Sequence, residues 1–404
     1  MLQGKHIVVG ISGGIAAYKT PLLIRMLRAA GAEVKVTTTP NALHFVTDLT
    51  LQTLSGNKVY SDVFAPTNDH STEHISLPDW ADLMIIAPAT ANVIGKMANG
   101  IADDALTTTF LAMTCPVLVA PAMNEKMYAH PALQHNLQTL DSFPHVTVLP
   151  CDEGFLACGT TGKGRMQEPE QIFLSAQHLL TEQTLAGRRV LITAGPTQEK
   201  IDPVRFISNY SSGKMGIALA EEAALRGAEV TLILGPTTLR PRALPRLRVV
   251  NIVSAMQMYD AAVQLFPDAD IAILCAAVAD YRPEKTADHK IKRSANSNPE
   301  GKEAAEYQLK LVENPDIAAT LGAKKRPNQT LVGFALETDH EEENALAKLR
   351  AKHLDMIVLN SLRNEGAAFG VDTNVVTIYQ ADGRKTELPK MSKSDVAKHI
   401  LNNL

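Results

Sequence analysis

Cysteine is scarce in this sequence: four among 404 residues, at Cys115, Cys151, Cys158 and Cys275, with no CxxC pair. That excludes a disulfide framework, gives no case for a thiolate zinc site, and suits a chain working in a reducing cytoplasm. An excess of charge of one sign is also lacking. The formal net charge is −4, too small for this mass to argue for nucleic acid or an anionic membrane as partner, which leaves small molecules as the expected substrates. No apolar run approaches the ~20 residues that span a bilayer. MLQGKHIVVG leads straight into a strand-like segment with no apolar stretch of signal-peptide length, so we expect a soluble protein.

What is present is the make-up of a large globular chain, with 45% hydrophobic and 20% charged residues. At this length one core does not suffice, and two domains are expected. A partial internal echo locates them. GKHIVVG (4–10) leads through a Gly-rich turn and a helical stretch to RAAGAEVKVTTT, and GRRVLIT (187–193) leads to ALRGAEVTLILG. Each spells strand, helix, glycine stop, strand, with Gly31 and Gly227 where helix C-caps belong. DLMIIAP, PVLVAPAM, ADIAILCAAVAD, TLVGFAL and DMIVLN are apolar runs bounded by Pro, Gly, Asn or Asp, the mark of buried parallel strands. The fold class is therefore α/β, two doubly wound, mostly parallel sheets, with domains at 1–186 and 187–404. Residues 283–306 are polar and poor in large apolar groups, and read as a mobile, lid-like loop.

In the first half, GISGGIAAYK sets Ser12, Gly13 and Gly14 between strand and helix, where free N–H groups and the helix end attract a phosphate. A tight Gly turn without a ligand has the same pattern. Ligands in open parallel sheets collect beyond the carboxyl ends of the strands, and there the sequence offers Thr37–Thr39, Pro88–Asn92, and Pro121–Asn124 with Met127. SGGIAAYK, PATAN, PAMNEKMY and ACGTTGKGRM, in that order over residues 4–180, resemble the flavin-containing cysteine decarboxylases, which are homo-oligomeric. The resemblance implies FMN held by Ser12, Gly13, Gly14, Thr39, Pro88, Ala89 and Thr90. It makes His74 the active-site base, Asn124 the group that holds the substrate carboxylate with Met127 nearby, and Cys158 the proton donor. By residue type alone, His74 reads as a core histidine, Asn124 as a helix cap and Cys158 as packing. The implied chemistry is decarboxylation of a cysteinyl group, with the flavin accepting electrons from CH2–SH and returning them after CO2 leaves.

The second half inserts a long polar stretch, ITAGPTQEKIDPVRFISNYSSGKMG, between strand and helix. It carries Arg205 as a possible anion holder and Asn209 as a hydrogen-bonding group. CAAVADY reads as a strand ending in Asp280, followed by Lys290 and Lys292, and NPDIAATL reads as Asn314, Pro315 and Asp316 at Ncap, N1 and N2 of a helix. These segments, with HKIKR, ENPDI and GFALET, resemble phosphopantothenate–cysteine ligase over residues 187–404. The resemblance places Arg205 and Asn209 on the phosphopantothenate or acyl-intermediate side. It places Asp280, Lys290, Pro315, Asp316, Ile317, Ala318, Phe334, Lys348 and Lys352 on the nucleotide side. It implies a carboxylate activated by a nucleoside triphosphate with Mg2+, then captured by the amine of cysteine. The metal ligands are unassigned, and the residues leave CTP and ATP open, although fused bacterial members resemble CTP users.

Together the halves resemble the bifunctional decarboxylase and ligase of coenzyme A biosynthesis, with 4'-phosphopantothenate, cysteine and CTP as small-molecule partners. Trimers of the first half and dimers of the second imply a homo-oligomer, a dodecamer in the fullest case. Two rival classes share parts of the pattern: a non-catalytic FMN-binding regulator, and another flavin-dependent cysteine decarboxylase or prenyltransferase. His74, Asn124 and Cys158 occurring together argue against the first, and the ligase motifs argue against the second.

Overall fold

The computed structural model describes residues 2–64, 73–155, 161–292, 307–337, 339–361 and 371–404. The chain divides into two compact units, Met1–Glu182 and Gln183–Leu404.

In the first unit the apolar run after Lys5 forms β1 (His6–Ile11). Next come helix Thr20–Ala29 and Gly31, whose φ of +94° is the left-handed stop expected of a helix-ending glycine. β2 (Glu33–Thr38), β3 (Val59–Tyr60), β4 (Leu83–Ala89), β5 (Val117–Pro121) and β6 (Val146–Val148) complete one parallel sheet in the order β3-β2-β1-β4-β5-β6. Alternate residues of the same strands feed cores on opposite faces: Val9, Ile85 and Leu118 one, Val8, Met84 and Val119 the other. Burial on both faces is why these strands are apolar throughout and do not alternate. An antiparallel hairpin, β7 (Asp152–Phe155) with β8 (Thr161–Arg165), and helix Pro169–Leu180 finish the unit.

The second unit repeats the winding and extends it. Its strands are β9 (Arg189–Ala194), β10 (Glu199–Lys200), β11 (Phe206–Ile207), β12 (Glu229–Leu234), β13 (Leu247–Asn251), β14 (Ile271–Leu274), β15 (Tyr281–Pro283), β16 (Leu311–Glu313), β17 (Thr330–Glu337), β18 (Met356–Ser361), β19 (Thr373–Gln380) and β20 (Lys385–Ser392). The main sheet runs β13-β12-β9-β14-β17-β18-β19-β20, parallel up to β18 and antiparallel beyond it. In both units the strand order turns back beside the first strand, so the internal echo marks two equivalent switch points. The glycine of GKMG is a packing requirement: a Cβ on Gly216 would lie 2.4 Å from the Cβ of Ala194 on β9. Among the described residues, no helix is long and apolar enough to cross a membrane.

The structure corrects three expectations in the second unit. The strand read through to Asp280 stops at Leu274, and residues 275–280 run on without strand structure apart from a bridge between Ala277 and Pro196. The helix read as capped by Asn314 starts at Ile317 with Asp316 as its cap: the Asp316 carboxylate accepts from the Ala319 N–H at 2.9 Å, while Asn314 donates to the Ala279 carbonyl at 2.8 Å. The polar stretch from residue 283 is anchored over its first part. β15 pairs with β16, and the Ala287 N–H donates to the Ile201 carbonyl at 3.0 Å. Polarity there reflects exposure, while backbone hydrogen bonds hold the chain in place. Residues 293–306 lie outside the described residues.

Candidate active sites

A cavity of about 870 Å3 in the first unit opens beyond the carboxyl ends of β1, β2, β4 and β5. Its wall includes Gly13, Gly14, Thr39, Thr90, Asn124 and Met127. Pro88, Ala89 and Ser12 stand behind it, where Ser12 has a structural task. Its buried hydroxyl donates to the Pro88 carbonyl at 2.7 Å and accepts from the Thr90 N–H at 2.9 Å, joining the first glycine turn to the turn after β4.

Two observations show that this wall fits a flavin phosphate. A Cβ on Gly13 would lie 2.5 Å from the Cβ of Asn41 and 2.8 Å from its backbone carbon, so the turn is drawn too tight for any side chain. The buried hydroxyl of Thr39, on the wall itself, has no protein partner, and a buried polar atom of this kind calls for a ligand or water.

Asn124 caps the short helix Glu125–Tyr128, its Oδ1 accepting from the Lys126 N–H at 2.9 Å, and it also lines the cavity. The capping and site readings are thus compatible. Hairpin strand β8 is stitched to this motif: the Met123 N–H donates to the Gly164 carbonyl at 2.9 Å, and Gly164, Arg165 and Met166 border the cavity. The segments PAMNEKMY and GKGRM, far apart in sequence, therefore share one wall.

Cys158 lies outside the described residues. His74 is half-buried in helix Glu73–Trp80 and is not on the cavity wall. The other thiols are poor nucleophiles, because burial pushes Cys115 up to about 11 and Cys151 and Cys275 up to about 12.

Sequence reasoning missed the charged groups of this wall. Lys19 is buried and donates to Glu168 at 2.8 Å, a bond that holds the Glu168 carboxyl below its ordinary value. Lys96 meets Asp103 at 2.6 Å and Asp104 at 3.3 Å. Lys19 closes the SGGIAAYK motif, and that was its only signal in the sequence.

In the second unit a cavity of about 420 Å3 lies beyond β14 and β17. It gathers Asp280, Pro315, Asp316, Ile317, Ala318, Phe334, Lys348 and Lys352, residues from four separate stretches of sequence. Its lysines are paired with carboxylates, Lys348 with Glu337 at 2.5 Å and Lys352 with Asp316 at 2.9 Å. Burial works against ionisation of Asp316, yet the Ala319 N–H and Lys352 keep its carboxyl below the ordinary value.

Arg205, Asn209 and Lys290 are not on this wall. Asn209 approaches it from behind: its Nδ2 donates to the Ala277 carbonyl between the lining residues Ala276 and Val278, and its Oδ1 accepts from the Ser211 N–H at 3.1 Å. The Arg205 guanidinium, expected to hold an anion, is bonded to the buried Asp202 carboxylate and to the Ile291 carbonyl. Lys290 is exposed beside Ile291. Among the described residues no group of His, Cys, Asp and Glu is arranged to hold a metal ion.

Residues 1–181 match the family described as Flavoprotein, and residues 185–404 match the DNA/pantothenate metabolism flavoprotein C-terminal domain. The chain is 49% identical over 408 residues to the coenzyme A biosynthesis bifunctional protein CoaBC of Bacillus subtilis, covering 100% of this chain and 97% of that protein. It is 46% identical over 405 residues to the protein of the same name from Haemophilus influenzae, covering 100% and 98%. It is also 51% identical over 365 residues to a cysteine/cysteine sulfinic acid decarboxylase of an unknown prokaryotic organism, covering 89% and 98%. With one cavity fitted to a flavin phosphate and a second in the unit that follows, the chain belongs to the family of bifunctional coenzyme A biosynthesis enzymes, a flavoprotein decarboxylase joined to a phosphopantothenate–cysteine ligase.

Proposed function

We propose that residues 183–404 join cysteine to 4'-phosphopantothenate using CTP and Mg2+ through an acyl cytidylate, and that residues 1–182 then decarboxylate the 4'-phosphopantothenoylcysteine formed. The observation that carries the ligase assignment is the convergence of Asp280, the Pro315–Ala318 helix start, Phe334, Lys348 and Lys352 on one cavity. These positions follow from sequence motifs that are widely spaced along the chain. The enzyme acts in the cytoplasm as a homo-oligomer, with a dodecamer as its fullest form.

In the first unit, the Gly13–Gly14 turn, the Thr39 hydroxyl and the Ser12-braced turn Pro88–Thr90 hold FMN. Bound FMN supplies a reversible two-electron sink, without which the electrons left by a departing α-carboxylate have nowhere to go. Asn124, which lines the cavity at the start of helix Glu125–Tyr128, orients that carboxylate. His74 is the base for the cysteinyl group, and Cys158 delivers the proton that completes the saturated thiol. Met127, half exposed at the rim, contacts the substrate.

In the second unit, Asp280 and the Asp316-capped helix start meet the nucleotide, Lys348 and Lys352 exchange a carboxylate for its charged part, and Phe334 lines its base. Asn209 and Arg205 serve the acyl intermediate, and Lys290 the phosphates.

The test is a quenched assay of the full chain with 4'-phosphopantothenate, CTP and Mg2+, first without and then with cysteine, followed by decarboxylation of the product. Free cysteine is offered in parallel as a decarboxylation substrate. Pyrophosphate released only when phosphopantothenate is present, followed by CO2 from the ligated product, is the expected result. CO2 from free cysteine alone would instead favour the chemistry named for the 51%-identical relative.

Asn209→Asp is expected to let pyrophosphate form while cysteine capture fails, because the substitution replaces the donor to the Ala277 carbonyl with a negative charge beside the cavity. Accumulation of the acyl cytidylate in the quenched assay checks it. Gly13→Ala is expected to yield protein without bound flavin, since the overpacked turn shifts by an amount costing about 1–3 kcal/mol and displaces the N–H groups that face the phosphate. The absorption spectrum of the purified variant decides. A yellow protein with normal flavin content would remove Gly13 from the site.

A further inference from the structure

The hairpin β10–β11 joins two regions of the ligase unit. Its base reaches the cavity: the Thr197 hydroxyl accepts from the Ala279 N–H at 3.0 Å, and Asn209 bonds to Ala277. Its tip holds the segment that carries Lys290. Asp202, 1% exposed, accepts from the N–H groups of Val204 and Arg205 at 2.8 Å each and from the Arg205 Nε at 2.9 Å. The same carboxylate accepts from the Ile291 N–H at 3.1 Å, and the Arg205 Nη2 donates to the Ile291 carbonyl at 2.9 Å. One residue, adjacent to an exposed lysine, is thus held by both of its backbone polar groups from an ion pair whose carboxylate is buried and whose guanidinium is half exposed. Along the same run, the Ala287 N–H donates to the Ile201 carbonyl, and the Thr286 hydroxyl donates to the Lys200 carbonyl at 3.3 Å.

The run is mostly exposed and polar, so these bonds, together with that of the Glu284 N–H to the Lys310 carbonyl at 3.0 Å, fix where the Lys290 backbone lies. We propose that Asp202 and Arg205 form a clamp on Ile291 that positions Lys290 for the activation step of the ligase. Asp202 is a positioning residue: it is buried away from solvent and acts through the backbone it holds. The proposal rests on Lys290 serving the nucleotide phosphates, and it gives the DPVR motif a task besides binding an anion.

The experiment uses the full chain and compares Asp202→Asn, Lys290→Gln and the double variant. Pyrophosphate release is measured with phosphopantothenate, CTP and Mg2+, and decarboxylation of ready-made phosphopantothenoylcysteine is followed in the same preparations. Asp202→Asn is expected to slow pyrophosphate release about tenfold, the scale of a small misplacement of a reacting group, with decarboxylation unchanged. The double variant is expected to be no slower than Lys290→Gln to within about twofold, because a clamp that acts through Lys290 has nothing left to position once that ammonium is gone.

A purely structural defect would slow the Lys290→Gln enzyme further, so multiplying effects in the double variant overturn the clamp, as does a wild-type rate for Asp202→Asn. Wild-type activity of Lys290→Gln defeats the underlying role of Lys290, and is thereby distinguished from failure of the clamp alone. Should Asp202→Asn not fold, Ile291→Pro decides: it removes the N–H that Asp202 accepts while sparing the Asp202–Arg205 pair. It too should slow pyrophosphate release and show no added effect on Lys290→Gln. Full activity of Ile291→Pro overturns the proposal.

Discussion

Lys290→Gln slows pyrophosphate release about a hundredfold, the loss of a transition-state interaction of roughly 3 kcal/mol, and leaves decarboxylation of ready-made phosphopantothenoylcysteine unchanged. This is the expected result if an ammonium group meets the charge that develops as the nucleotide is split. Lys290 is exposed and off the cavity wall, and an exposed lysine that meets only water contributes almost nothing to any rate. An effect of that size therefore requires the phosphates to extend out of the cavity to the anchored segment. The separation from Asn209→Asp is diagnostic, because one variant fails before pyrophosphate release and the other after it. Equal loss of pyrophosphate formation in both would sink this division of labour. Full activity of Lys290→Gln would return the residue to a solvated surface.

Cys158→Ala has the larger effect on the other unit: CO2 is still released, but the saturated thiol does not form, an unsaturated thiol accumulates, and the flavin colour fails to return. The argument rests on what flanks this residue. β8 begins at Thr161, borders the cavity through Gly164 and Arg165, and is bonded to Met123 next to Asn124. β8, which begins three positions after Cys158 in the sequence, thus borders the same cavity as Asn124. The other thiols are pushed up to about 11 or 12 by burial, so they are poor substitutes for it as donors in the cycle. Stopped-flow absorbance with product analysis checks both halves of the expectation. Saturated product at the wild-type rate would mean that the proton comes from another group.

The places where sequence reading fell short have a common cause. NPDI offered Asn, Pro and Asp as successive helix-start residues, and all are acceptable there. The cap went to Asp316 because Asn314 was drawn to the Ala279 carbonyl, a partner 35 positions away. Arg205 reads as an anion holder from its charge and its loop. Yet the nearest carboxylate, Asp202, sits three residues before it, and the Ile291 carbonyl that it also binds is 86 positions away. A polar stretch reads as mobile when nothing in its own composition ties it down, and what ties down residues 284–291 is hydrogen bonding to distant parts of the chain, through backbone groups and through the Asp202 and Arg205 side chains.

The sequence by itself determined the winding of both sheets. A parallel strand buried on two faces must be apolar throughout, and its helix must end in a residue that tolerates positive φ, so VVGI, LMII, VLVA, Gly31 and Gly227 declare themselves locally. It also offered the glycine turn after β1 as a candidate for binding, and the structure adds that at Gly13 a Cβ has no room. Only the tertiary structure decided what those motifs meet. Whether Lys19 is a surface charge or a buried partner of Glu168, whether Lys348 and Lys352 face one cavity with Asp280, and whether Arg205 is available or engaged all depend on contacts between residues far apart in the chain. Hydrogen bonds and ion pairs act over a few ångströms of space and carry no trace of sequence separation. The pattern that selects a helix or strand is local, while the pairing that makes a site arises only once the sheet has brought its loops to one edge.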